Sequence, residues 1–484
     1  MPDAGRLVCL PEGKFMKTVV ALACTALWVS PSLAAQTPQL DSINRYVASE
    51  MKRQQIPGLS VAILRGDQIL LARGYGLANL ELQVPASDRT IYQSGSLGKQ
   101  FTATAVGMLA QQGRLDVEDR ITKWFPEGKG VWDSITVRQL LTHTSGMPEY
   151  TDSLIDLRKD YTEDQLVSLA AAQPLDFPPG DTWSYSNTGY AVLGALIHRV
   201  TGRFYGDVLQ QLIFAPLGMH TRIISEADII PSRSAGYRLV ETEIKNQEWV
   251  SPSLNTTADG ALYLTVNDLA QWAVALNHRR LPEAPVLDAA WTPVRLNDGG
   301  TVPYGYGWDL TEQRGHRRVG HTGAWQGFET VIYRYPEFGL SIIVLTNLAE
   351  ALPSAIAEGI AGILEPALEP PHLLKTPLRG TMPPVAIPAL LQRVAAGDEA
   401  GLVTPGLQRF QRQARRQELG RMLQQVGSWT ALGCEPVVKQ RIRWLGAPAA
   451  RVCYARGTGK AGRSVVTVYY TDDWQAAYLE HENY

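Results

Sequence analysis

Ser94-Gly-Ser-Leu-Gly-Lys-Gln-Phe-Thr-Ala103 is the stretch on which the reading of this chain turns. Ser94 and Gly95 suit a helix entry, and the run from Leu97 to Gln112 is apolar at helical spacing. Ser96 and Lys99 lie three residues apart, so on a helix they share a face and the lysine amine comes near Ser96 Oγ. Serine is a weak nucleophile until a neighbouring base takes its proton. A partly desolvated lysine has its pKa lowered enough to be that base. A helix N-terminus adds partial positive charge where an oxyanion would form. Alone, Ser-x-x-Lys is common by chance and more often marks a solvated helix turn.

Two further stretches carry chemistry. Phe177-Pro-Pro-Gly-Asp-Thr-Trp-Ser-Tyr-Ser-Asn-Thr-Gly-Tyr190 is a loop that runs into a helix over about Gly189–Val200. Within it, a Tyr185 phenol between lysine and serine can relay a proton, and the Asn187 amide can hold a substrate carbonyl. The blander reading is a buried tyrosine with a satisfied hydroxyl and Asn187 as a helix cap. Arg318-Val-Gly-His-Thr-Gly-Ala-Trp-Gln-Gly-Phe328 holds the third motif, His321-Thr322-Gly323-Ala324. A small residue there lets backbone approach a substrate, and a backbone N–H can help complete an oxyanion hole. Its blander reading is an edge-strand histidine bonded to solvent or backbone.

In this order, the three motifs resemble the serine β-lactamase and penicillin-binding protein superfamily, with its Ser-x-x-Lys, a second polar motif and Lys-Thr-Gly. The Tyr-x-Asn form is similar to class C β-lactamases and their esterase and D-aminopeptidase relatives. The resemblance runs through Ile56-Pro-Gly58, Gly74-Tyr-Gly76, Leu140-Leu-Thr-His-Thr-Ser-Gly146, Pro216-Leu-Gly-Met219, Asp268-Leu-Ala270 and Leu345-Thr-Asn347. It implies an α+β fold, an antiparallel sheet flanked by helices plus an all-helical section, with Ser96 between the two. It also implies that Ser96 is the nucleophile and that Lys99 and Tyr185 handle the proton. Asn187, His321, Thr322 and Gly323 then bind substrate, and the amides of Ser96 and Ala324 form the oxyanion hole.

One departure matters: His321 stands where β-lactamases usually have lysine. A permanent cation recognises the β-lactam carboxylate, whereas histidine, with a reference pKa of about 6.5, is mostly neutral at pH 7. The resemblance therefore favours small esters or peptides, including D-residue peptides, over β-lactams. A β-lactamase or DD-peptidase stays as the enzymatic alternative. A catalytically silent acyl-binding or wall-peptide sensor is the rival of another class. His143 reads as a structural residue in a packing turn.

Outward from the motifs, Leu59–Leu64, the Arg65-Gly66-Asp67 turn and Gln68–Ala72 read as a β-hairpin after a helix over about Leu40–Gln54. Phe328–Arg334, Pro336-Glu-Phe-Gly339 and Leu340–Thr346 read as a second. Strands at both ends with helices between predict one antiparallel sheet whose first and last strands meet. Residues 1–34 read as a signal peptide cut after Ala34, with translation starting at Met16, which predicts a secreted or periplasmic protein. No other run is long and apolar enough to span a membrane. Residues 35–365 form the expected hydrolase domain. Residues 366–390 form a linker, since seven prolines fall in 366–388. Residues 391–484 form a small α+β module similar to cystatin-like or nuclear-transport-factor-2-like folds.

Composition narrows the classes without choosing a chemistry. The 484 residues carry a formal charge of −2, which gives no general attraction to nucleic acid. The tail from Leu391 holds 13 Lys+Arg against 8 Asp+Glu, most simply a solvated face, alternatively a surface for an anionic wall polymer. Four cysteines without a Cys-x-x-Cys pair argue against a zinc site or a disulfide scaffold. No metal or cofactor is expected. After signal removal, Cys434 and Cys453 either pair or remain as buried thiols. The expected partner is a small-molecule or peptide substrate, cell-wall peptide included.

Overall fold

Gly58–Arg65 (β1) and Gln68–Asn79 (β2) form the expected hairpin, with Gly66 supplying the left-handed turn at φ +57°. The structure is a computed structural model. It describes residues 32–483 except 151–154, 224–227, 248, 254–256, 375–376, 379, 411–412, 442–446 and 460–461. The expected leader falls outside the described residues apart from its last three positions. Those begin a helix, Ser32–Gln54 (α1), that starts ahead of Leu40. Among the described residues no helix is long and apolar enough to cross a membrane.

Every β1 residue but Arg65 is buried, so the strand is covered on both faces. It lies inside a seven-stranded antiparallel sheet built with Asp309–Gln313 (β3), His316–Trp325 (β4), Phe328–Tyr335 (β5) and Leu340–Thr346 (β6). The order is β3-β4-β5-β6-β1-β2, followed by the two-residue strand Val84–Pro85. First and last long strands meet as expected, from Leu59↔Thr346 to Arg65↔Leu340. The β3–β4 hairpin was absent from the sequence reading. Its turn is Arg314-Gly315, with both residues at positive φ, and lacks the Asn-Gly or Asp-Gly signal of a tight hairpin.

Alternation along β1 divides the core. Leu59, Val61 and Ile63 pack with Ile43 and Val47 of α1 and with Ile356 and Ile360 of Pro353–Leu364 (α5). Ala62 and Leu64 face the helical section. That section includes Lys99–Gln111 (α2), Asn187–Thr201 (α3) and Val266–His278 (α4). Helix α2 is preceded by a single 3₁₀ turn, Gly95–Gly98, so the helix proper begins at the lysine. The nucleophile candidate thus sits on the tighter turn that leads in.

Past α5, the proline-rich segment lies along the body. Gln313 donates to the Leu368 carbonyl (2.6 Å) and Arg314 to that of Glu369 (2.8 Å). Helix Ile387–Ala396 (α6) begins inside the span read as linker, because Pro388 occupies its first turn, where a missing N–H costs nothing. Gln413–Gln425 (α7) follows. Four strands, Val426–Arg441 (β7), Pro448–Gly459 (β8), Gly462–Tyr470 (β9) and Ala476–Asn483 (β10), pair in sequence order. Their inner face and α6 form a separate core around Leu391, Val394, Val466 and Val468. Cys434 and Cys453, directly opposite in β7 and β8, are disulfide-bonded.

Candidate active site

Three elements from distant parts of the chain converge on Ser96. The 3₁₀ turn lies along β4 where that strand has lost its outer neighbour, since β3 ends at the pairing Asp309↔Gly320. Two glycines permit the approach. Gly95 has φ +52°, and a Cβ there would fall 2.6 Å from both N and O of Ala324. A Cβ on Gly323 would fall 2.1 Å from the Ser94 carbonyl and 3.0 Å from Ser96 N. The small residue of the third motif therefore admits the loop that carries Ser96. His321 and Gly323 point toward the helical section and are buried, while Thr322 and Ala324 alternate outward and are exposed.

Lys99 is fully buried, and each bonding direction of its amine is used. Nζ lies 2.7 Å from Asn187 Oδ1, 2.7 Å from the Asp259 carbonyl and 3.0 Å from Ser96 Oγ. Burial pulls its pKa down to about 8, and the carboxylates of Asp259 and Glu149 oppose that shift. As a neutral amine it donates to the two carbonyl oxygens and turns its lone pair to the Ser96 hydroxyl. That is the arrangement of a base facing its nucleophile.

Asn187 is the first residue of α3, but the helix cap is Ser186, whose hydroxyl accepts from Gly189 N at 3.1 Å. The Asn187 side chain is left to hold Lys99, and its backbone N–H donates to Glu149 Oε2 at 2.6 Å. The Tyr185 ring lies 4.8 Å from Lys99 Nζ. Its buried hydroxyl makes no hydrogen bond of good geometry. Burial holds that phenol protonated, well above its ordinary range, with nearby Ser96 acting in the opposite direction.

His321 is buried, and its Nδ1 lies 2.6 Å from the Thr322 carbonyl. Burial lowers its pKa, Asp309 opposes this, and the Lys99 charge lowers it further. At His321 β4 has passed the end of β3, and the buried ring is bonded to backbone, so the backbone form of the blander reading describes that nitrogen and the solvent form does not. His143 sits at φ +58° in a buried turn, accepting from Ser186 N at 3.1 Å.

Three participants escaped the sequence reading. Asp259 contributes its carbonyl to Lys99, and its side chain accepts from Tyr150 Oη at 2.8 Å. Glu149 anchors the start of α3. Tyr304 lies between the two histidines, 3.1 Å from a nitrogen of each. A backbone carbonyl leaves no trace in residue identity. The other two have neighbours that ordinary loop residues share.

A sheet and helical section joined at a serine and a buried lysine characterise one class of serine hydrolases. The chain belongs to the Beta-lactamase family, whose sequence pattern matches residues 43–364. It is 30% identical over 318 residues to Penicillin-binding protein 4* of Bacillus subtilis (strain 168), covering 62% of this chain and 70% of that protein. The D-amino acid amidase of Ochrobactrum anthropi SV3 superposes with a TM-score of 0.59 at 25% identity, covering 69% of this chain and 98% of the other. The octameric penicillin-binding protein homologue from Pyrococcus abyssi gives 0.62 at 23% identity, covering 91% and 95%. That last likeness shows the fold alone, and it extends beyond the body into the tail.

Proposed function

We propose that this protein is a secreted hydrolase that cleaves small esters, amides or peptides, D-amino-acid derivatives included, through an acyl-Ser96 intermediate. The observation that carries this reading is the Lys99 amine, held by two fixed acceptors and aimed at Ser96 Oγ. As the Oγ–C bond forms, the hydroxyl proton passes to Lys99 Nζ. The carbonyl oxygen becomes an oxyanion on the amides of Ser96 and Ala324. Its collapse breaks the bond to nitrogen or oxygen, and the leaving group takes a proton from the Tyr185 phenol or the Lys99 ammonium. Water then attacks the ester carbonyl, gives up a proton to the same pair, and releases the acid and Ser96.

The amidase likeness supports an amide substrate, and a buried histidine in the place of a lysine supports substrates without a carboxylate. Residues 35–365 carry the reaction in this reading, and the module from α6 onward stands apart from it. Secretion rests on the leader-like residues 1–34. The test is the intact mass after exposure to an activated phosphonate, beside Ser96→Ala. One adduct on the parent and none on the variant is the expected result. An unmodified parent would overturn the acyl-serine reading and favour a silent binding protein.

A further inference from the structure

His143, Tyr304 and His321 form one buried hydrogen-bonded chain behind Tyr185, and backbone groups fix the proton at its two ends. Ser186 N–H donates to His143 Nδ1 at 3.1 Å, so that nitrogen carries a lone pair. The His143 proton is therefore on Nε2, which faces Tyr304 Oη at 3.1 Å. The single Tyr304 hydroxyl proton is free to point at His321 Nε2, also at 3.1 Å. At the far end the Thr322 carbonyl can only accept, so His321 carries its proton on Nδ1. In this pattern each donor meets one acceptor with both rings neutral, and the Tyr190 phenol beside Tyr304 is the other acceptor open to the Tyr304 proton.

We infer that Tyr304 is a positioning residue that determines specificity, locking His321 as a neutral ring with both nitrogens committed, so that the site has no donor there for a substrate carboxylate. A proton added at His143 Nδ1 would face the Ser186 N–H, and one added at His321 Nε2 would have to turn the Tyr304 hydroxyl proton away toward Tyr190. Titratable neighbours agree in the main. The Lys99 charge disfavours a second proton on either ring, Asp309 opposes this at His321, and Tyr185 and Tyr190 are neutral phenols beside Tyr304. Tyr304 is itself buried, in a small cluster with Trp183, Val294, Leu296 and Val302 that holds its ring in place. The His143 ring stacks 4.3 Å from that of Tyr185, so the same chain orients the phenol. The substrate class that follows is an acyl compound whose leaving side ends in an amide, ester or other uncharged group.

The inference deepens the acyl-Ser96 reading, and its first test is independent of activity. Nitrogen-15 spectra of histidine-labelled full-length protein, assigned with His143→Gln and His321→Gln, should show single neutral tautomers at neutral pH. His321 should be protonated on Nδ1 and His143 on Nε2. Tyr304→Phe keeps the ring and should move the His321 Nε2 resonance and raise that ring's titration. The second test is the ratio of kcat/KM for two thioesters, one with a thioglycolate leaving group and one with its methylamide. The parent should favour the methylamide by about tenfold or more, and Tyr304→Phe should narrow that ratio severalfold in mildly acidic buffer. A cationic or Nε2-protonated His321 in the parent, or a Tyr304→Phe spectrum unchanged at His321, would overturn the lock. The phosphonate result bears on Ser96 alone, so failure of either reading is recognisable by itself.

Discussion

The body and the tail are both antiparallel sheets packed on helices, but they are assembled in opposite ways. In the tail, β7, β8, β9 and β10 each pair with the next strand along the chain, and the disulfide joins adjacent strands. In the body, β1 closes against β6 from the other end of the sequence, and the site assembles where residues 95–99, 185–187, 259 and 321–324 meet. Local pairing loses little chain entropy and gives a unit with its own core, tied to the body by the Arg314–Glu435 ion pair. Non-local closure costs more, but it brings a serine, a buried amine and a strand edge together from far-apart segments. The buried polar groups around the site, Lys99, His143, His321 and Asp259, all lie in the body, whereas the tail buries Glu399 against Arg416.

The largest effect expected is at the amine. Lys99→Ala should lower turnover by about 10²–10⁴ while the tail stays folded. The parent's kcat/KM should rise with pH along a limb near the lysine pKa of about 8, because only the neutral amine can take the Ser96 proton. A Lys99→Ala enzyme with most of its activity, or a profile flat across that limb, would remove the base from the body's side of the comparison.

Gly323→Ala probes the contact between strand and nucleophile loop. The added methyl meets the Ser94 carbonyl, which is backbone and has little room to yield. Activity should fall by at least about tenfold and stability by about 1–3 kcal/mol, read by kinetics and thermal melting of the same sample. Normal activity would mean that the 3₁₀ turn adjusts freely and that the close approach is incidental.

The smallest effect on turnover is expected in the tail. Replacing Cys434 and Cys453 by serine should destabilise the tail by about 3 kcal/mol through the freed loop, measured by chemical denaturation. kcat/KM should be unchanged, since the bridge lies in a core separate from the site. A large loss of activity would show that the two regions are coupled.

The site was legible in the sequence where function demands a residue type at short spacing. Ser96 and Lys99 lie on consecutive turns of one segment, and their distance follows from helical geometry. The β1–β2 and β5–β6 hairpins were legible from alternation and turn residues. The β3–β4 hairpin was not, because Asp309-Leu-Thr-Glu-Gln313 mixes polar and apolar residues around an unusual turn.

By itself, then, the sequence determined the family, the order of motifs, the first and last strands of the sheet, and the short spacing that brings Ser96 to Lys99. Those depend on local spacing and on residue identities that no other chemistry replaces. Only the tertiary structure decided that Asp259 serves Lys99 through a carbonyl, that Gly323 makes room for the serine loop, and that Tyr304 joins two histidines. It also decided that Cys434 and Cys453 are bonded. Each of these is a contact between segments distant along the chain or on neighbouring strands. The physical reason is that such contacts depend on sheet register and on the direction of backbone groups, which side-chain identity does not encode locally.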